Sequence, residues 1–335
     1  MSAYLAAGAH YFAVPPLWDD TGATEFARLP QIIRIEGGSC TTVATFSEED
    51  ARRMSTGFGG GLPGEPDVSM AAGFVFEMVE VGSELWVFSN TRRGFWRVDT
   101  ATGAINHDDV LDRFAAGVAS DGNGGAWVST AAYFDTEMGN RTLPPELWHL
   151  DASGSPVGAP RTLPFDDQLI GFGGGDSEVA VAAFVFHPLV VGPNGDVWVL
   201  DSRTGVVAKV VGGHTTHQLD MVHPSGMAPW NDGVLIATGL DATEDLQTYH
   251  QVPTLHWVDL GNGAAEEVAP LPEPTNGWGS LGGFVGPLPN STGVVPFNVW
   301  FPISSAGEKV IVASPSQGTV LLLDSSADSG DTGGA

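Results

Sequence analysis

Short apolar runs separated by glycine- and proline-rich segments dominate this chain. Runs such as Phe74–Val81 (FVFEMVEV), Phe184–Val191 (FVFHPLVV) and Val197–Asp201 (VWVLD) alternate poorly between apolar and polar positions. Strands of this kind are covered on both faces. The segments Ser47–Met54 and Asp108–Phe114 are the ones compatible with a helix, each of one or two turns. The pattern therefore predicts an all-β fold.

The runs belong to a unit that recurs about every 110 residues along the chain. A glycine-rich loop opens each copy, at Gly57–Gly61, Gly171–Gly175 and Gly277–Gly283. Each copy holds two sets of about four short strands, and one such set has the size of a propeller blade. The sequence therefore predicts a six-bladed β-propeller over residues 1–324, with a pseudo-threefold repeat of a two-blade unit. Residues 325–335 are small and acidic, which predicts a disordered tail.

Two segments carry a resemblance to known families. Ser120–Val128 (SDGNGGAWV) and Gly192–Asp201 (GPNGDVWVLD) resemble the strand–turn–strand signature of six-bladed propellers. That group includes the senescence-marker/gluconolactonase, NHL-repeat and virginiamycin B lyase families. The resemblance implies a fold rather than an activity, because these residues build blades. The metal-binding lactonases of the group use a glutamate with Asn and Asp residues, of which Glu77 is the one match, and the lyases pair histidines with a glutamate.

Charge narrows the classes of partner. The chain has 40 acidic and 13 basic residues, a net charge of -27, which argues against binding to nucleic acid or anionic membrane surfaces. No apolar run is long enough to predict membrane insertion. Cys40 is the single cysteine, so no internal disulfide can form. We expect a monomer outside the cell or in the cell envelope, from the acidity, the few lysines and the tail, although no signal peptide is visible.

Candidate chemistry concentrates on one face of the predicted propeller. The connections between blades, and those between the second and third strands of a blade, share that face. Glu77 and His187 occupy the same place in their sequence copies, His223 lies at a comparable distance from its strand, and Arg113 is near that level. Glu77, His187 and His223 could hold a divalent cation such as Ca²⁺, Mg²⁺ or Zn²⁺, or act as an acid/base pair. The alternative is a set of individually satisfied polar residues around a water-filled channel.

Aromatic residues in the long connections offer a second kind of site. Trp18, Tyr133 and Tyr249 lie in acidic segments at similar points of three blades and suit a carbohydrate or peptide partner, or equally cap the local core. We therefore predict a propeller that binds a small molecule, carbohydrate or protein on its loop-rich face. One alternative is a metal-dependent hydrolase or lyase with a site at the mouth of the channel. Another is a structural repeat domain of a larger surface protein.

Overall fold

The computed structural model describes most of the chain, and the described residues lie mainly in β-strands and turns. The described residues are 11–14, 17–18, 26–36, 39–55, 76–89, 94–111, 113, 115–130, 132–135, 141–165, 187–202, 204–221, 224–238, 241–242, 249–251, 253–271, 285–287, 294–296, 303–306, 309–314 and 319–324. Within them the one helix is α1 (Glu48–Ser55). No helix in this part of the chain is long and apolar enough to cross a membrane.

The first sheet has three strands and an attached hairpin. The strands are β1 (Tyr11–Val14), β2 (Leu17–Trp18), β3 (Phe26–Arg28), β4 (Gln31–Glu36) and β5 (Ser39–Thr45). Sheet 1 has the order β1-β4-β5, and β2 and β3 pair with each other in the connection between β1 and β4. Helix α1 follows, with Ser47 as its N-cap, since Ser47 Oγ accepts a hydrogen bond from the Asp50 amide at 3.0 Å. Asp50 Oδ1 also accepts a bond from Trp96 Nε1 at 2.8 Å, which fixes the helix to sheet 2.

Four antiparallel sheets of four strands come next along the chain. Sheet 2 contains β6 (Phe76–Val81), β7 (Glu84–Ser89), β8 (Phe95–Asp99) and β9 (Ile105–Asp108) in sequence order. Sheet 3 has the order β10-β11-β14-β15, and its strands with the inserted hairpin are β10 (Ala115–Ser120), β11 (Ala126–Thr130), β12 (Tyr133–Asp135), β13 (Arg141–Leu143), β14 (Glu146–Leu150) and β15 (Arg161–Thr162). Sheet 4 contains β16 (Leu189–Val191), β17 (Val197–Asp201), β18 (Val206–Val211) and β19 (Thr215–Gln218).

Sheet 5 has the order β20-β21-β24-β25, and another inserted hairpin follows its second strand. Its elements are β20 (Pro224–Trp230), β21 (Gly233–Thr238), β22 (Asp241–Ala242), β23 (Tyr249–Gln251), β24 (Thr254–Val258) and β25 (Ala265–Pro270). A hairpin of β26 (Val285–Pro287) and β27 (Val294–Pro296) joins β22 and β23 in a further four-stranded sheet. Sheet 6 has three strands, β28 (Ile303–Ala306), β29 (Lys309–Ser314) and β30 (Thr319–Asp324).

The hydrophobic core lies between sheets that follow one another in the chain. Trp86 and Phe88 of sheet 2 pack in one cluster with Val128 of sheet 3, because both faces of these strands are apolar. Leu147 of sheet 3 and Val199 of sheet 4 share another cluster. Successive antiparallel sheets that pack on their neighbours are the blades of a propeller. The prediction of an all-β propeller is therefore confirmed.

Turns after the third strands interlock neighbouring sheets. In sheet 2 the turn that follows β8 contains Gly103, with a φ of +72°. A Cβ at Gly103 would lie 2.4 Å from the backbone oxygen of Val43 in sheet 1. The turn therefore needs glycine at position 103 for two reasons: its backbone is left-handed, and it lies too close to the preceding sheet for a side chain.

Two sequence predictions differ from the structure. Among the described residues sheets 2 to 5 have four strands each and sheets 1 and 6 have three, and the six-blade count and threefold repeat are not confirmed. The segment Asp108–Phe114, compatible with a helix by its sequence, is not helical in its described residues: Asp108 ends β9, and Leu111 is a fully buried core residue whose carbonyl accepts a bond from the Gly94 amide. Tertiary packing of Leu111 overrides the weak local helix preference. The predicted tail at 325–335 and the glycine-rich loops lie outside the described residues.

Candidate functional site at the loop-rich face

One end of the sheets carries the inserted hairpins. The hairpins β12–β13 and β22–β23 connect the second and third strands of sheets 3 and 5, and β2–β3 connects β1 and β4 of sheet 1; we call the end from which they project the loop face. Trp18, Tyr133 and Tyr249, the aromatic residues singled out from the sequence, are all strand residues of these hairpins. The pairing of Ala242 with Val294 joins β22–β23 to β26–β27, an addition to the loop face that no sequence signal indicated.

Buried polar side chains in the described part of the chain concentrate at this same end. Each lies in or next to the last two residues of a second strand, or at the start of a first or third strand, and these ends meet at the loop face. They are Arg113, Ser129, Thr130, His187, Asp201, Ser202, Thr238, Thr254 and Ser304. Buried polar groups are costly unless they are hydrogen-bonded, so each of these side chains needs a partner at this end.

Threonines hold the bases of two hairpins. Thr130 Oγ1 accepts a bond from the Glu146 amide at 3.0 Å, and Thr238 Oγ1 accepts the corresponding bond from the Thr254 amide at 3.0 Å. Both threonines end a second strand, so sheets 3 and 5 hold their hairpins in the same way. The sequence signal was present, because the strand segments WVST and LIAT both end in threonine before a long insertion.

Glu77 is the second residue of β6 and pairs with Phe88 across β7. Residues two and four positions further along β6, Val79 and Val81, pack in the cluster between sheets 2 and 3, so Glu77 faces sheet 3 as well. Its side chain is partly exposed, but desolvation by the surrounding protein raises its pKa to about 8. The carboxyl group is therefore mostly protonated at neutral pH.

His187 lies just before β16 and is fully buried. Its ring stacks on Phe165, with ring centroids 5.0 Å apart. Its amide donates to the carbonyl of Ala116 at 2.9 Å, and its carbonyl accepts a bond from Ser129 Oγ. These contacts fix the start of sheet 4 against the innermost strand of sheet 3, and they give His187 a structural role whatever else it does.

Arg113 lies two residues before β10 and is 8% exposed. Its Nη2 atom is 3.5 Å from Glu146 Oε2, and Trp148 Nε1 donates a hydrogen bond to the same carboxylate oxygen at 3.2 Å. The pair is largely removed from water, so removal of either partner would leave a buried charge. Arg113 is therefore already engaged with its own sheet at the loop face.

The structure brings Glu77 and His187 to opposite sides of β10 rather than to equivalent positions. In sheet 2, Glu77 pairs with Phe88, the penultimate residue of β7. In sheet 4 the penultimate residue of the second strand is Leu200, and its amide donates to the carbonyl of Pro188 rather than of His187. His187 is thus one position out of step with Glu77, and a shift of one residue reverses the face of a strand. The prediction that they occupy the same place is wrong, because the first turn of sheet 4 is longer than the Gly82–Ser83 turn of sheet 2.

The predicted metal set is incomplete in the described structure. His223 lies outside the described residues, and no group of three His, Cys, Asp or Glu side chains within the described ranges is arranged to hold a metal ion. Binding of a divalent cation by Glu77, His187 and His223 stays a prediction.

A polar pair at the opposite end of sheet 3 was missed by sequence reasoning. His149 Nε2 lies 2.8 Å from Asp121 Oδ2, and the His149 ring stacks on Trp127 with centroids 4.2 Å apart. Burial alone would raise the pKa of Asp121, but the bonds from His149 and from the amides of Asn123 and Gly125 outweigh burial and lower it. The bonds close the turn between β10 and β11, so we assign this pair to the structure of the blade.

Comparisons with known proteins show a likeness of fold. No protein-family model matches the chain, and no curated protein sequence matches it. A streptogramin B lyase structure is 11% identical with a TM-score of 0.47 and covers 96% of this chain and 83% of that chain. A chain of a nidogen/laminin complex is 10% identical with a TM-score of 0.48 and covers 90% of this chain and 88% of the other. TolB from Acinetobacter baumannii is 12% identical with a TM-score of 0.44 and covers 96% and 63%.

At such low identities the likeness concerns the fold and carries no activity to this chain. The assignment rests on the chain's own sheets, which succeed one another in sequence, pack on their neighbours and gather their insertions at one end. This protein is an all-β propeller.

Proposed function

We propose that this propeller binds a ligand or a protein partner on its loop face, outside the cell or in the cell envelope. The observation that supports binding most directly is the concentration of buried polar side chains at that face in the described chain. Binding sites are typically concave regions in which a few polar groups are set in an apolar scaffold. The location is supported by the strong net negative charge, which suits a protein that must stay soluble away from nucleic acid and anionic lipid.

The hairpins favour a small molecule, carbohydrate or protein as the partner. Each hairpin carries an aromatic residue, Trp18, Tyr133 or Tyr249, together with nearby acidic residues. Aromatic rings with a polar edge combine a large contact area with hydrogen bonding, as sugar and peptide surfaces require. The rigid sheets beneath hold the hairpins in place, which is the usual arrangement of binding loops.

We also propose six blades, with sheets 1 and 6 completing the ring. Phe12 of β1 and Ile311 of β29 pack in one cluster with Ile33 and Ile35, which supports contact between the first and last sheets. Inserted hairpins follow β1 in sheet 1 and the second strands of sheets 3 and 5, whereas the connections after the second strands of sheets 2, 4 and 6 are short. This alternation supports a two-blade repeat.

A metal-dependent hydrolase or lyase is the second candidate. It rests on the residue types of Glu77, His187 and His223, which the sequence places near the starts of first strands and which suit a divalent cation or acid/base chemistry.

A ligand screen tests both candidates. Thermal unfolding of the purified protein is measured with sugars, peptides, small metabolites and salts of Ca²⁺, Mg²⁺ and Zn²⁺, and then repeated for Tyr133→Ala. We expect a ligand that stabilises the wild-type protein and whose apparent affinity falls at least tenfold in the variant. Val157→Ala, at an exposed position 49% accessible on the opposite end of sheet 3, is the matched control.

Each outcome of the screen separates the candidates. Stabilisation by a metal salt that His187→Gln abolishes would favour the hydrolase or lyase. Ligands that stabilise Val157→Ala less than Tyr133→Ala would place binding away from the loop face and contradict the proposal.

A further inference from the structure

Three turns in the described part of the chain contain the dipeptide Asn-Gly. They are Asn123–Gly124 between β10 and β11, Asn194–Gly195 between β16 and β17, and Asn262–Gly263 between β24 and β25. All three asparagines are exposed, and the glycines have similar φ angles of +90°, +75° and +77°. A fourth dipeptide, Asn276–Gly277, lies outside the described residues. Because the three turns share their sequence and their exposure, a difference in reactivity must come from their hydrogen bonds.

An asparagine that precedes glycine can lose its side-chain amide by reaction with its own backbone. The glycine nitrogen gives up its proton and attacks the asparagine Cγ atom, and the new N–Cγ bond closes a five-membered succinimide ring. The Cγ–Nδ2 bond breaks, and Nδ2 takes up a proton and leaves as ammonia. Water then opens the ring at either carbonyl, which leaves aspartate or isoaspartate. Glycine favours this reaction because it has no Cβ to obstruct ring closure.

Two of the three glycine amides are held by hydrogen bonds. Gly195 donates to the carbonyl of Gly192 at 2.9 Å, and Gly263 donates to the carbonyl of Asp259 at 2.8 Å. The asparagine side chain of the second of these turns is held as well, since its Oδ1 atom accepts a bond from the Ala264 amide at 2.7 Å. A glycine amide engaged in this way must break its bond before it can attack Cγ.

The amide of Gly124 is not held in this way. Among the described residues it has no hydrogen-bond partner, although the amides on either side of it, of Asn123 and Gly125, donate to Asp121 Oδ1 at 2.7 and 2.8 Å. The Asp121 carbonyl, which has the position of the acceptor in the Gly195 turn, accepts a bond from Asn123 Nδ2 instead, at 3.3 Å. A bond of that length restrains the side chain weakly.

We propose that the folded protein deamidates at Asn123, while the turns around Asn194 and Asn262 protect those two residues. The reaction is independent of ligand binding, because this turn lies at the end of sheet 3 opposite the loop face. Isoaspartate would add one carbon to the backbone between residues 123 and 124 and so disturb the amide bonds to Asp121. Asp121 Oδ2 is also 2.8 Å from His149 Nε2, so the change would loosen the contact between β10 and β14 as the protein ages.

Peptide mapping by mass spectrometry tests the difference between the three sites. The whole chain is incubated at pH 8 and 37 °C, either folded or in urea. Conversion of each asparagine is followed by its gain in mass and by the separation of isoaspartyl from aspartyl peptides. In the folded protein we expect Asn123 to react at least about fivefold faster than Asn194 and Asn262, the factor that corresponds to one hydrogen bond kept before attack. In urea the three rates should be similar, because every one of these asparagines precedes glycine.

The effect on the turn is measured by thermal unfolding of fresh and incubated protein. Incubated wild type should unfold at a lower temperature than fresh wild type. Asn123→Gln should keep its unfolding temperature, because glutamine would have to close a larger ring and reacts far more slowly. Asn194→Gln, the matched control in the turn between β16 and β17, should behave as wild type.

Other results would overturn the inference. Equal rates at the three sites of the folded protein, or faster reaction at Asn194 or Asn262, would show that the free Gly124 amide does not decide reactivity. An Asn123 that stays intact in the folded protein while it reacts in urea would show that the turn protects it too. An unfolding temperature that falls equally in Asn123→Gln would place the loosening elsewhere in the molecule.

Discussion

At the scale of the residue, the face of the strand on which an ionisable side chain lies decides its surroundings. His187 is buried against Phe165 and serves the packing of sheets 3 and 4. Glu77, one step out of register, faces an apolar wall without a polar contact among the described residues. Its raised pKa means that ionisation opposes folding: the stabilising effect of the protonated form is complete below pH 4.5 and is lost as the pH rises through about 8.

Glu77→Gln should therefore flatten the dependence of stability on pH. At pH 9 we expect the variant to be more stable than wild type by roughly 1 to 3 kcal/mol, and at pH 5 to differ little. The expected gain is below the 1.36 kcal/mol per pKa unit of a fully buried group, since the partly exposed side chain keeps some hydration. Urea unfolding at both pH values measures the difference. Wild type and variant with parallel pH profiles would show that Glu77 is solvated and ionises normally.

At the scale of the element, turns contact the neighbouring sheet as well as the sheet to which they belong. Arg97 of β8 donates to the carbonyl of Ser153 in the next sheet at 3.1 Å, and His217 Nε2 lies 2.9 Å from the carbonyl of Leu260. Turn glycines approach the preceding sheet closely, because a Cβ at Gly103, Gly154 or Gly263 would lie 2.4 to 2.9 Å from an atom of that sheet. The turns thus fix how one sheet sits on the next.

Gly103→Ala should be more destabilising than Gly122→Ala, although the two glycines have nearly the same φ, +72° and +74°. Both substitutions strain a left-handed backbone by about 1 kcal/mol. At Gly103 the new methyl group also meets the Val43 carbonyl at 2.4 Å, whereas at Gly122 nothing lies within 4 Å. We expect a further loss of roughly 1 to 3 kcal/mol at Gly103, measured by urea unfolding. Equal losses would mean that the turn can move away from sheet 1 at no cost.

At the scale of the whole molecule, the contact between the first and last sheets decides whether the ring is closed. Phe12 and Ile311 are each 4% exposed and belong to one small cluster. Sheets 1 and 6 each have three strands among the described residues, so this contact has a smaller apolar area than the others to stabilise it.

Phe12→Ala and Ile311→Ala should each lower the free energy of unfolding by roughly 2 to 4 kcal/mol, as truncations in a packed core do. If the two side chains stabilise the molecule together, the double variant should lose at least about 0.5 kcal/mol less than the two single losses combined. A double-mutant cycle in urea measures this coupling, and the pair Phe12 and Leu200, from separate clusters, serves as the control. Strict additivity for Phe12 and Ile311 would argue against a closed ring.

The sequence by itself determined the class of fold and the location of the insertions. Apolar runs covered on both faces require sheets that pack against sheets, and the position of each long segment between two strands fixes the end from which it projects. The sequence placed Trp18, Tyr133 and Tyr249 in long connections within blades, and the structure forms these connections into hairpins. These features depend on local or periodic patterns, so they can be predicted from one sequence.

Tertiary structure alone decided which face each candidate residue occupies. The first turns of sheets 2 and 4 differ in length, and bulges between Ala115 and Gly117 and between Pro224 and Gly226 shift the register again. Each shift reverses the side of the strand to which the side chains point, so residues at matching positions of the sequence copies lie on different faces. Desolvation of Glu77 and engagement of Arg113 by Glu146 likewise depend on neighbouring strands far away in sequence. The charge and burial of a side chain at the loop face depend on all the strands around it. The sequence pattern could therefore predict which end of the sheets carries the insertions, but not the protonation or pairing of the residues there.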